Sequence, residues 1–252
     1  MASVIAFANQ KGGVAKTTTV QSLGDALVER GHRVLLVDVD PQACLTFAVG
    51  VTVDEDERSL HDVFAGRATA SDVMIERAGC PALLPSSIDL AGAEVHLLTK
   101  TGRELVLARA LQPLLDSFDY VLIDCSPSLG VLTINALTAA DYVAIPFQCE
   151  TLSSRGVGQL LDTVADVRNF TNDRLKVLGA IATMFDARTR LARDVLDTVA
   201  AAHGLDVLAP PIPKSVRVAE SPGHGRSVLR HAPSSTAAAA YRELAVTIED
   251  RT

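Results

Sequence analysis

Tryptophan is absent from this 252-residue chain and aromatic side chains make up only 4% of it, yet 48% of its residues are hydrophobic. That apolar content supports one sizeable α/β core. The length is too short for two ordinary enzyme domains with a linker, so a single domain over 1–252 is expected. No apolar run approaches the roughly 20 residues that a membrane helix needs. Met1-Ala2-Ser3 leads straight into a strand-like stretch without a basic, apolar signal segment, which predicts a cytoplasmic protein. The four cysteines, Cys44, Cys80, Cys125 and Cys149, stand 36, 45 and 24 residues apart. With no C-x-x-C pair there is no zinc or redox signature, and buried, reduced thiols are expected. Positive charge is short as well. At a formal net charge of −7 the chain is not one that coats itself in nucleic acid, so any DNA contact must come from a local patch. No Ser-His-Asp or Cys-His grouping points to covalent catalysis.

What is present is a phosphate loop. Lys11-Gly12-Gly13-Val14-Ala15-Lys16-Thr17-Thr18 lies between an apolar stretch, Ser3 to Ala8, and a helix-like one from about Lys16 to Arg30. Small residues let the backbone wrap a polyphosphate, with main-chain N–H groups and the positive end of the following helix facing its oxygens. In such a loop Lys16 bridges the β and γ phosphates and the Thr17 hydroxyl ligates Mg²⁺. The strict pattern G-x-x-x-x-G-K-[ST] fails, because Gln10 and Ala15 occupy its glycine positions, and a second lysine, Lys11, stands five residues before Lys16. Alanine at position 15 is expected to fit only with a negative φ.

Val20, Leu23, Leu27 and Val28 share one face of the first helix, Gly31 stops it, and Arg33 to Asp38 is a second buried strand. Further strands are expected at about Asp119–Asp124, Asp141–Pro146 and Val177–Met184. Helices are expected at about Arg103–Leu115, Leu129–Ala139, Ser153–Arg168 and Leu191–Ala202. This alternation predicts an α/β fold, a doubly wound, mostly parallel sheet with helices on both faces. Residues 51–101, with the charged turn Asp54-Glu55-Asp56-Glu57-Arg58 and two or three short helices, are expected to be a surface elaboration.

Two carboxylate groups stand at strand ends. Asp38-Val39-Asp40-Pro41-Gln42 follows the second strand, and alternation puts Asp38 and Asp40 on one side as the chain leaves the sheet, where open α/β folds bind ligands. Leu122-Ile123-Asp124 closes another strand and runs into Cys125-Ser126-Pro127.

The loop with its extra lysine, the Asp40-Pro41-Gln42 segment and the Asp124 strand end together resemble the ParA/MinD family of deviant Walker P-loop ATPases, and within it the small Soj-like partition proteins. The resemblance extends to Met184-Phe185-Asp186-Ala187-Arg188-Thr189 and to the stretch from Ile212 to Gly225. It implies Mg²⁺-dependent ATP hydrolysis with Lys11, Lys16 and Asp40 in catalytic roles, Asp40 holding the attacking water. The ATP site would comprise Lys11 through Thr18 (Gly12, Gly13, Val14, Ala15, Lys16 and Thr17 between them) with Pro213 and Ser215 near the base. Thr17 would hold the metal, Asp124 would reach it through a water, and Asp38 would support the metal or the nucleotide-sensing loop. The resemblance further implies an ATP-dependent homodimer in which Lys11 reaches the partner's nucleotide. It also implies non-specific DNA binding through Arg188 and Arg217 with Lys214, a ParB-like activator, and association with the nucleoid. The segment Ala237–Asp250, small, mixed and acidic at its tip, is unlike a basic amphipathic membrane helix, so no membrane partner is expected.

Overall fold

The structure, a computed structural model, describes residues 1–54, 56–150 and 153–252, without the side chains of Ser153 and Ser154. Glu55 of the charged turn lies outside the described residues. In chain order, β1 (Ser3–Phe7) runs into α1 (Lys16–Glu29), then β2 (Val34–Asp38), α2 (Cys44–Ala48), α3 (Leu60–Ala65), α4 (Ala70–Val73) and β3 (Ala82–Leu84). There follow α5 (Leu90–Leu97), α6 (Val106–Leu111), β4 (Tyr120–Asp124), α7 (Val131–Ala139), β5 (Tyr142–Gln148), α8 (Ser153–Phe170) and β6 (Lys176–Thr183). The chain ends with α9 (Arg190–His203), α10 (Val216–Glu220), α11 (Val228–His231) and α12 (Thr236–Glu249).

The six strands form one parallel sheet in the order β3-β2-β4-β1-β5-β6. Strand alternation divides the core in two. Val4, Ala6, Leu35, Val37, Val121, Ile123, Val143 and Ile145 enter the layer covered by α3 to α9. Ile5, Phe7, Val34, Leu36, Leu122 and Ala144 enter the layer covered by α1, α2, α11 and α12. Both faces exclude water, which is why the strands read as continuous apolar runs. From β1 the chain crosses to β2 on one side, while β5 lies on the other. The end of β1 is therefore a switch point, where a crevice opens.

Residues 51–101 depart from the expected surface elaboration. They supply the edge strand β3, and Leu60, Phe64, Leu84, Leu90 and Leu97 are fully buried in the larger core. Three residues are too few to show a period, so β3 left no sequence signal. The helix expected over 103–115 is broken into a 3₁₀ turn Arg103–Leu105, α6 and a second 3₁₀ turn Gln112–Leu114. Pro113, which has no N–H to donate, stands in the last of these. Helix α12 is not a free amphipathic helix: Ala237, Ala238, Tyr241, Leu244, Ala245 and Ile248 are buried, chiefly against α1. Ion pairs from Arg30 to Glu249 (2.5 Å) and from Arg242 to Glu29 (2.6 Å) flank that contact.

One close approach joins the two ends of the smaller layer. Gly50, just past α2, has φ +77 and Gly225 has φ +61, and a Cβ built on Gly225 would meet the Gly50 Cα at 2.7 Å. Only glycine satisfies both the backbone conformation and the space. Gly225→Ala is expected to destabilise the protein by about 1–3 kcal/mol. A urea unfolding curve checks this, and a midpoint equal to that of the wild type would refute it.

Candidate nucleotide-binding site

The loop after β1 is fixed by side chains from the neighbouring strands. Asn9 donates through Nδ2 to Pro146 O (2.8 Å) and accepts through Oδ1 from Lys11 N (2.9 Å). The Thr183 hydroxyl at the end of β6 lies 3.0 Å from Val14 O. Val14 is buried and holds the loop by its backbone, while Gly12, Gly13, Ala15, Lys16, Thr17 and Thr18 line a cavity of about 720 Å³. Ala15 overturns the expectation of a negative φ: its φ is +60 and ψ +32, a left-handed conformation that costs an alanine about 1 kcal/mol. From there α1 starts with no side-chain cap, so its first N–H groups and positive end face the cavity.

The two lysines diverge. Lys16 is 7% exposed and lines the cavity, its Nζ lying 3.4 Å from Lys11 O. Lys11 does not line it; its Nζ reaches outward to Glu150 Oε2 at 2.5 Å.

Two carboxylates face each other at the C-terminal ends of two interior strands, since β2 and β4 pair with Asp38 opposite Asp124. Asp38 accepts from Thr46 N (2.8 Å), Thr46 Oγ1 (2.7 Å) and Asp40 N (3.1 Å). Both its oxygens thus hold the turn into α2. Burial pushes its pKa up to about 6 in spite of these donors. Asp124 accepts from Thr17 Oγ1 (2.6 Å) through Oδ2, while its Oδ1 is buried without a partner. Burial first, and Asp38 second, raise Asp124 well above the usual carboxylate range. A buried, unpartnered carboxylate oxygen beside a threonine hydroxyl fits a divalent cation that takes its other ligands from phosphate and water. Among the described residues no group of three or more His, Cys, Asp or Glu could hold a metal by itself.

Asp40 lines the cavity, and its Oδ1 accepts from Gln42 N (2.9 Å). Ser86, just past β3, donates to Asp40 O (2.7 Å), and its N donates to Thr46 Oγ1 (2.9 Å). The far end of the cavity is formed by Met184, Pro213, Ser215 and Pro222, with Tyr241 of α12 also in the lining. Phe185 N donates to Ile212 O (2.9 Å) and Lys214 N to Phe185 O (3.2 Å), which fixes Pro213 there. Tyr241 Oη lies 3.3 Å from Thr19 Oγ1 of α1. Sequence reading brought together Lys16, Thr17, Asp40, Asp124, Pro213 and Ser215, and all of these meet at one cavity or its edge. It missed Asn9, Thr46, Ser86, Glu150, Thr183 and Tyr241.

Arg188 and Arg217 are exposed, each beside a carboxylate: Arg188 with Asp186 (2.9 Å) and Arg217 with Glu220 (3.2 Å). Arg188 pulls Asp186 down to about 2. Lys214 is exposed and lines the cavity rim. The expectation of four buried thiols holds for Cys125 and Cys149 but not for Cys44, which is exposed, or Cys80, which is half-buried; all four are free. Among the described residues no helix is long and apolar enough to cross a membrane.

Residues 2–177 match the family described as AAA domain. The chain is 42% identical to the sporulation initiation inhibitor protein Soj of Bacillus subtilis, over 97% of each protein. It is 42% identical to the chromosome partitioning protein ParA of Caulobacter vibrioides, over 96% of this chain and 92% of that one. A Mycobacterium smegmatis protein, solved as cobyrinic acid a,c-diamide synthase with bound ATP analogue and magnesium, superposes with a TM-score of 0.89. It is 51% identical, over 99% of this chain and 95% of that one.

The carboxylate pair sets a pH dependence. A folded-state pKa above the unfolded value means that the folded chain binds protons more tightly, so the ligand-free protein gains stability as pH falls from about 7 to about 5. Asp119 and Asp186, both lowered to about 2, lose their contributions only below about pH 4, outside that window. Asp124→Asn is expected to raise the Tm at neutral pH by about 2–4 °C and to flatten the profile. Thermal melts at both pH values check this; a wild-type Tm that falls on acidification over this window contradicts it.

Proposed function

The chain belongs to the ParA/MinD family of deviant Walker ATPases, and we propose that it is an ATP-switched dimer that binds duplex DNA without sequence preference in its ATP state. It would thereby segregate or position a chromosome, a plasmid or another large cargo on the nucleoid. As a family member it is an ATP hydrolase with a positioning role, and it uses ATP with magnesium.

In this reading the N–H groups of the loop and of the first turn of α1 bind the phosphates, and Lys16 neutralises charge that builds on them during transfer. Thr17, and Asp124 through a water, would hold the magnesium ion, which when bound would supply further charge neutralisation at the phosphate oxygens. Asp40, fixed through its backbone by Asp38 and Ser86, orients the attacking water. Pro213 and Ser215 flank the base. The observation that carries the switch is the divergence of the lysines: Lys16 serves its own cavity, while Lys11 is outside it and partly exposed, available to a partner's nucleotide. In the isolated chain Glu150 holds it. Arg188, Arg217 and Lys214 supply sequence-independent phosphate contacts, and pairing two subunits doubles the phosphates engaged.

A second reading, a positioning switch that acts through a protein partner without DNA, is favoured by the carboxylates that already pair with Arg188 and Arg217 and by the net charge of −7. A ParB-like activator is compatible with both readings. A third, ATP-dependent chemistry on a small substrate, is favoured by the likeness to the protein solved as cobyrinic acid a,c-diamide synthase. It leaves Lys11 without a purpose.

Binding to non-specific duplex DNA across a salt series, with ADP and with a slowly hydrolysed ATP analogue, separates these readings. Tight, salt-sensitive binding with the analogue alone, lost in Arg188→Glu/Arg217→Glu, is the expected result. Absence of binding in both states favours a protein partner, and a monomer whose ADP release depends on a small substrate favours the third reading. Lys11→Ala is expected to abolish ATP-dependent dimerisation in light scattering while nucleotide binding persists; a variant that dimerises normally with ATP removes the assigned role of Lys11.

A further inference from the structure

A second cavity, of about 180 Å³, lies behind the wall of the nucleotide cavity, between α1, the β2–β3 edge and the turn into α11. Its lining carries three guanidinium groups, Arg77, Arg226 and Arg230, against one carboxylate, Asp25, in a chain whose net charge is −7. Arg230 is neutralised by Asp25 at 2.8 Å, and Arg77 donates to Val49 O at 2.8 Å and makes no ion pair among the described residues. Arg226 has no side-chain partner among the described residues. Two buried polar groups on the same lining are also unpartnered: Ser227 Oγ, at 1% exposure, and Gln21 Oε1, at 2%. The Gln21 amide nitrogen donates to Ala48 O, so its oxygen is the end left to accept.

We propose that this cavity binds free orthophosphate, in its hydrogenphosphate form. The chemistry of the lining selects it. Arg77, Arg226 and the Ser227 hydroxyl donate to phosphate oxygens, and such charge-assisted bonds are the strong ones. Gln21 Oε1 needs a donor, and a hydrogenphosphate carries one P–OH. Sulfate has the same shape and charge but no proton to give at neutral pH, so a buried acceptor left unsatisfied discriminates against it. At a quarter of the volume of the nucleotide cavity, the pocket takes a phosphate and not a whole nucleotide.

The position gives the site a consequence. Ala48 and Pro222 line the nucleotide cavity, whereas Val49 and Gly225, their near neighbours in sequence, line the phosphate pocket. The seam where Gly50 meets Gly225 is thus shared. A phosphate held between Arg77 and Arg226 ties the segment before β3 to the turn before α11 and braces that seam.

The test is a thermal-shift and calorimetric titration of the full chain with sodium orthophosphate and with sodium sulfate at matched ionic strength. Saturating ADP and magnesium keep the phosphate loop occupied. Orthophosphate is expected to raise the Tm and bind at one site while sulfate does not. Arg77→Ala/Arg226→Ala, both at exposed positions, is expected to weaken phosphate binding at least about tenfold with the ADP-induced shift unchanged. Gln21→Met is expected to erase the preference for phosphate over sulfate. Equal responses to the two anions, or a phosphate response that survives the arginine substitutions, overturns the proposal. So does a double variant that loses duplex DNA binding when orthophosphate gives no shift, which assigns the arginines to a nucleic-acid backbone.

Discussion

Two carboxylates buried side by side at the end of a parallel sheet are the constraint around which the rest of this molecule is arranged. Asp38 and Asp124 occupy paired positions on β2 and β4, with no bulk water to solvate them. An ion in such a place is tolerable only with hydrogen bonds or opposite charge. Asp38 obtains its donors from the backbone and hydroxyl of Thr46, so α2 must begin where it does. Among the described residues the Asp124 side chain has only the Thr17 hydroxyl as donor, so α1 must present that residue at its first turn. The energetic deficit left on Asp124 makes the site receptive to a cation, and the ligand-free fold carries that deficit as a standing destabilisation.

The two layers of the core divide the labour. The larger one lies under α3 to α9; the smaller one, under α1, α2, α11 and α12, contains the helices that follow the phosphate loop and the Asp38-to-Asp40 segment. Contacts among these four helices are contacts around the nucleotide cavity. Tyr241 on Thr19 and Gly225 on Gly50 each join a late segment to α1 or to the end of α2, and Gln21 on Ala48 joins those two helices to each other.

The β-α alternation, the phosphate loop and the strand-end aspartates were legible because each is local: an apolar run, a cluster of small residues, a charge where the run stops. What escaped was of two kinds. Some features are long-range hydrogen bonds made by ordinary polar residues. Asn9 to Pro146 and Thr183 to Val14 span 137 and 169 residues, and nothing in the type of either residue announces a partner so far away. Others are backbone conformations imposed by surroundings. Ala15 sits at positive φ because the loop closes on the end of β6 through Val14 and on α1 directly, a tertiary demand that outweighs the local preference of alanine. Edge strand β3 was lost because it is brief, and the outward reach of Lys11 because Glu150 lies 139 residues away.

The place of Tyr241 in the lining of the cavity has a consequence for the order in which the chain is made. Lys16, Thr17 and Thr18 are synthesised well before the helix that backs them, since β2 to β6 all lie between α1 and α12. Until it docks, the apolar face of α1 bearing Val20, Leu23 and Leu27 has no cover from Leu244, Ala245 and Ile248. A nascent chain therefore carries a complete phosphate loop while one apolar face of α1 still lacks its cover.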